Sequence, residues 1–147
     1  MNLTKNKLFL YSAILAFLGF LDATYLTILH YKQTIPSCTV GSCETVLTSE
    51  YATILGVPIA LFGSLFYISV IILSLLILTN YKRIYVNLFY LMAASGFGVS
   101  LFLLYIQAFV LHSFCQYCLL SAATSTGIFI LALLQIKKEK LNSSLSK

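Results

Sequence analysis

Residues 84–136, IYVNLFYLMAASGFGVSLFLLYIQAFVLHSFCQYCLLSAATSTGIFILALLQI, hold no Asp, Glu, Lys or Arg. As one helix the run would reach roughly 80 Å at 1.5 Å per residue, against a hydrocarbon core about 30 Å thick. It must therefore turn once. Its most polar point, His112-Ser113 followed by Cys115-Gln116-Tyr117-Cys118, is where the turn falls. Outward from this run, the apolar stretches Leu8–Leu21 and Gly56–Thr79 complete a set of four spans: Leu8–His30, Gly56–Thr79, Tyr85–Leu111 and about Cys118–Ile136.

The predicted fold is an all-α membrane protein, a four-transmembrane-helix bundle formed by residues 1–147 as one domain. An external loop, 31–55, separates spans one and two, and its stretch Glu44–Ala52 is expected to form a short half-helix on the bundle mouth. Composition agrees: 60% hydrophobic and 9% charged, where a soluble domain has about 25% charged residues. The formal charge of +5 belongs to the membrane rather than to nucleic acid, because the basic residues sit at segment ends.

Orientation follows from those residues. Lys5, Lys7, Lys82, Arg83, Lys137, Lys138, Lys140 and Lys147 share one side if there are four spans, and Lys32 stands alone on the other. Both termini are expected in the cytoplasm and all four cysteines on the extracytoplasmic side of the cell membrane, where disulfides persist. A cleaved signal peptide is the competing reading of the N-terminus. The apolar stretch runs on through Tyr25–Leu29 without a small-residue cleavage site, which argues against it.

The cysteines fall in two pairs. Cys115-Gln116-Tyr117-Cys118 is a CxxC at a helix start, where the helix end lowers a thiol's pKa. Cys115 is expected to be the more exposed sulfur and Cys118 the one facing the bundle interior. Cys38 and Cys43 flank Gly41 on a loop expected to be mobile, which suggests relay: Cys38 meets a partner, and Cys43 exchanges with Cys115 by thiolate attack on a disulfide. Competing readings are two structural disulfides in a non-catalytic assembly or transport subunit, or a zinc site of four thiolates. Leu119 after the CxxC excludes covalent haem attachment.

Cys38 and Cys43, Ser49-Glu50-Tyr51-Ala52, Gly56-Val57-Pro58-Ile59-Ala60-Leu61-Phe62-Gly63, and a CxxC opening the last helix together resemble the vitamin K epoxide reductase family in its prokaryotic, stand-alone form. The DsbB type of quinone-linked thiol oxidase has its CxxC first, the reverse order. The resemblance implies a bundle enclosing a quinone of ubiquinone or menaquinone type as electron acceptor, with no metal. It implies Cys118 beside the quinone, Cys115 as its interchange partner, Cys38 and Cys43 as shuttle, and Ser49 as a polar residue near the site. The implied partner is a separate thioredoxin-fold (DsbA-like) thiol oxidase, and the implied role is quinone-dependent disulfide formation. Animal members carry an asparagine and a tyrosine near the quinone where this chain has Ile59 and Ala122, which favours a respiratory quinone over the vitamin K epoxide.

Asp22, within span one, is a candidate for proton transfer, with a structural bond to the loop as its alternative. His112 is placed near Cys115. Tyr25, Phe62, Phe66, Phe97, Tyr105, Phe109, Phe114 and Tyr117 are the aromatic candidates for a quinone pocket, and Gly63, Gly96 and Gly98 are assigned to helix packing.

Overall fold

A computed structural model describes residues 3–39 and 41–145; Lys147, the last of the basic residues, lies outside them. Four long helices, α1 (Leu3–Tyr31), α3 (Ile59–Thr79), α4 (Arg83–Tyr105) and α5 (Gln116–Leu145), are joined by short connections. Between α1 and α3 lie a short helix, α2 (Cys43–Leu47), a 3-10 turn at Glu50–Ala52, and a two-stranded hairpin of β1 (Thr53–Ile54) and β2 (Val57–Pro58). Each long helix contains a stretch apolar and long enough to cross a membrane. Apolar side chains such as Leu10, Ile14, Phe17 and Leu21 on α1 face outward because lipid surrounds them.

The helices pack as a ring in which α1 lies beside α3 and α5, and α4 closes the ring against both. Glycines set two of these approaches. The ring of Tyr67 on α3 covers Gly19 of α1, and the ring of Phe66 covers Gly96 of α4, where an added Cβ would collide with either ring. Gly63 meets Ala23 across α1 and α3, whereas no atom lies close enough to Gly98 to give it a packing role. About one turn further from the cysteine end, Ala16, Val70, Ala93 and Ile128 are sealed together in an apolar layer.

Three of the long helices differ at their boundaries from the sequence-based expectation. The second long helix begins at Ile59 instead of Gly56, because Leu55 (φ 53°) and Gly56 (φ 82°) form the two-residue turn of the hairpin. Pro58 then stands just ahead of the helix, where its missing N–H goes unused. The third helix loosens into a π turn at Ile106–Val110 before the chain reverses. The fourth starts at Gln116 and runs to Leu145, well past Ile136. Lys, Glu and Leu favour helix there, and Glu139 accepts hydrogen bonds from Tyr81 (2.7 Å) and Arg83 (3.2 Å), tying the last helix to the α3–α4 connection.

Candidate active site

Cys115 ends the turn that follows the π segment, and α5 begins at the next residue. Its backbone N–H donates to Oε1 of Gln107 (3.0 Å), a buried amide at the start of the π turn. The Cys118 N–H points back to the Cys115 sulfur (3.4 Å). The Cys115 thiol is pushed down to about 7, first by the Cys118 side chain donating to it and then by the helix-start N–H groups, against the opposing effect of burial. The His112 side chain is exposed, at a left-handed φ of 47°, and plays no part in this acidification.

Over this corner lies the loop pair. Cys38 and Cys43 are joined in a disulfide with Cα atoms 6.0 Å apart, within the usual span of such bridges. The loop is clasped to the CxxC by main-chain atoms. Gly41 forms an antiparallel bridge with Cys115, and the Ser42 N–H donates to the Phe114 carbonyl (3.0 Å). The Thr39 hydroxyl adds a bond to Gln116 Oε1 (3.0 Å). Cys43, Val46 and Cys115 pack as a sealed knot with Cys38 and Cys118 at its edge.

Two expectations are thereby corrected. Cys115 is a wholly buried residue and Cys118 a partly exposed one, because the loop sits directly on Cys115. The loop pair is docked rather than loose, since Gly41 allows its backbone to approach Phe114. Cys115 and Cys118 are not joined to each other in this structure. Among the described residues no group of three or more His, Cys, Asp or Glu side chains is arranged to hold a metal ion.

Beside the knot, the four long helices and the loop enclose a cavity of about 290 Å³. Of the four cysteines, Cys118 lines it. Asp22 and Ser49 are also on its wall, as are Ile59 and Ala122. One carboxylate oxygen of Asp22 has no hydrogen-bond partner, although the residue is buried. Ser49 donates its hydroxyl to the Val46 carbonyl (2.7 Å), which fixes the end of α2.

Phe62 and Phe66 alone among the eight aromatic candidates reach the wall. Tyr25 packs on Tyr117, Phe97 stacks on Phe129, and Tyr105 leans on Phe109. Sequence reasoning missed His30, Tyr51, Tyr67 and Gln107, all of which line the cavity. Tyr67 is held by its hydroxyl, which contacts the Ser121 carbonyl, the Ser121 hydroxyl and Thr124 at 2.8–2.9 Å. Gln107 carried one usable signal, an amide in an otherwise apolar stretch just ahead of the CxxC.

An apolar chamber with a few polar groups and a thiol on its wall has the character of a small-molecule site, at the small end of the usual range of about 300–1,000 Å³. Its residues fit a flat, uncharged, redox-active ring. The profile of the vitamin K epoxide reductase family matches residues 10–133. A thiol-disulfide oxidoreductase of Arabidopsis thaliana (LTO1) is 29% identical over 130 residues, which covers 82% of this chain and 35% of the relative. The chain thus spans about a third of that relative's length.

Proposed function

The chain belongs to the vitamin K epoxide reductase family and has four helices apolar and long enough to cross a membrane, and from that premise we propose that it is a membrane thiol-disulfide oxidoreductase that carries electrons from a reduced thioredoxin-fold protein to a membrane quinone. The observation that carries this reading is the grading of the four sulfurs. Cys38 is at the rim, Cys43 and Cys115 are sealed against each other, and Cys118 lines the cavity.

In the proposed sequence, a thiolate of the partner attacks Cys38, breaking the Cys38–Cys43 bond and releasing Cys43 as thiolate. The partner's second thiolate then resolves the mixed disulfide, so the partner leaves oxidised and the loop pair is reduced. Cys43 next attacks Cys115 of a Cys115–Cys118 disulfide and frees Cys118. Cys38 attacks Cys43 in turn, which re-forms the loop disulfide and leaves Cys115 and Cys118 as thiols. The observed state, with the loop pair closed and the inner pair free, corresponds to this point. A quinone in the cavity would accept two electrons and two protons as the Cys115–Cys118 disulfide closes. Asp22, buried on the wall with an unpartnered oxygen, would hold and pass a proton there, and Ser49 would fix the end of α2 over the chamber.

We assign the cysteine end to the extracytoplasmic side. Lys82, Arg83, Lys137, Lys138 and Lys140 gather at the opposite end of the bundle, as expected of a cytoplasmic face. The physiological result would be disulfide formation in exported proteins.

The test is quinone reduction by the purified protein supplied with a reduced thioredoxin-fold donor. Turnover in the wild type and its loss in both Cys118→Ala and Cys38→Ala are expected. A Cys43→Ala protein offered the oxidised donor should accumulate a mixed disulfide, as the Cys38 thiolate attacks the donor's disulfide and no Cys43 is present to resolve it. No turnover with any quinone, in folded protein, would overturn the reading.

A further inference from the structure

The cavity wall holds hydroxyl groups, but their protons are committed elsewhere. Ser49 donates to the Val46 carbonyl, Ser95 to the Met92 carbonyl, and Ser125 to the Ala122 carbonyl. Ser100 is therefore the donor in its 2.6 Å contact with Ser125. Tyr67 and Ser121 spend theirs on one another and on the Ser121 carbonyl. A ligand carbonyl arriving in this chamber needs a donor that is still available. Tyr51 is half exposed and His30 stands in the last turn of α1, so both lie toward the mouth.

Gln107 differs from all of these. It is 4% exposed, it lines the cavity, and its position beside Cys115 is fixed. Because a backbone N–H can only donate, the atom facing Cys115 N is the amide oxygen, and this settles which way the side chain is turned. The NH2 group of the same planar amide carries two protons. Its nitrogen makes no hydrogen bond among the described residues, and it is not one of the polar atoms sealed from all access.

We propose that Gln107 binds the quinone directly: Oε1 holds the Cys115 N–H at the start of the last helix, while Nε2 donates to a carbonyl oxygen of the quinone in the cavity. One rigid amide then sets the acceptor ring in register with the CxxC. This deepens the quinone-linked reading above and rests on it. The recognised feature is a carbonyl oxygen conjugated to a flat ring. Aromatic hydrocarbons of the same shape would lack the bond.

The test uses the full chain in detergent with both cysteine pairs oxidised, so that binding is measured without turnover. The probes are ubiquinone-1 and menadione, titrated calorimetrically against wild type, Gln107→Met and Gln107→Glu. Methionine keeps the volume and removes both polar ends, and about a tenfold loss of affinity is expected, the size of one hydrogen bond. Glutamate keeps the acceptor for Cys115. Its carboxyl donates when protonated and cannot when ionised, so its quinone affinity should approach that of the wild type at low pH and fall as pH rises. Asp22 and His30 share the wall, and any step they cause will appear in wild type and Gln107→Met as well, so the step that counts is the one found in Gln107→Glu alone. As a control, Cys115 alkylation in the reduced proteins should be preserved in Gln107→Glu.

Quinone affinity equal to wild type in both variants across the pH range would overturn the inference, leaving Gln107 as a positioning residue for Cys115. If the wild type binds neither probe, the quinone-linked reading falls and takes the inference with it. Should Gln107→Met fail to fold, the pH step in Gln107→Glu decides the matter alone.

Discussion

Replacing Gly41 with alanine should undock the cysteine loop without unfolding the bundle. Gly41 has φ +89°, and a Cβ built there lands on the Phe114 carbonyl oxygen. Holding a non-glycine residue in such a conformation costs about 1–3 kcal/mol. Displacing Phe114 also breaks the bond from Ser42 N–H to that same oxygen, worth about 1 kcal/mol net. The sum is roughly 2–4 kcal/mol, or about 30-fold to several hundred-fold in the docking equilibrium. The loop can relieve the strain by lifting, so the penalty falls on docking alone. Cys115 reports this directly, because it is wholly buried under the loop. In a Cys118→Ala protein with Cys38–Cys43 closed, it is the sole free thiol. When reclosing is faster than labelling, alkylation follows the lifted fraction, so adding Gly41→Ala should speed iodoacetamide labelling by the same factor. Donor-driven quinone reduction in the Gly41→Ala protein should fall, while thermal unfolding of the helices barely moves. An unchanged labelling rate would refute the claim that the backbone clasp is what buries Cys115.

Further outcomes follow from other contacts. Cys118 is the main cause of the low Cys115 pKa, so removing its thiol should raise it. Cys115 labelling should be half-maximal near pH 7 in the wild type and move up toward or past 9 in Cys118→Ala, measured as rate against pH. Tyr67→Phe removes a hydroxyl with three close partners and should cost about 1–2 kcal/mol, read as a lower melting temperature in detergent. Asp22→Asn should slow quinone reduction and alter its pH profile while thiol exchange between the two cysteine pairs continues. Unchanged turnover and pH profile would remove Asp22 from proton transfer.

The four helices were legible because a bilayer enforces a crude rule: each crossing needs a long, nearly uncharged run, and such sequence cannot hide even where span one carries Asp22. The cysteine turn was legible for the same reason, since His112 and Ser113 interrupt apolar sequence. What escaped depended on main-chain geometry. Nothing in the letters of Thr39–Cys43 states that Gly41 pairs with Cys115, and so the burial order of the inner pair came out reversed. Gln107 stands seven residues after Ser100 and fourteen after Ala93, on the face of the third helix that already turns inward, so a helical count could have found it had the inner face been known. Choosing Phe62 and Phe66 over six other aromatics required knowing which face of each helix the ring arrangement turns inward.

The apolar layer of Ala16, Val70, Ala93 and Ile128 beneath the cavity has an electrical consequence. Each of the four side chains is sealed, and none offers a proton a place to rest. A charge crossing that layer would do work against the membrane potential of about 2.3 kcal/mol per 100 mV. With thiols, cavity and Asp22 all on one side of it, the proposed reaction would release its protons at the cysteines and take them up at the cavity within the same half of the bilayer. Turnover in proteoliposomes should therefore run at one rate whether a potassium diffusion potential is positive, negative or absent. The protein would feed a respiratory acceptor without itself charging the membrane.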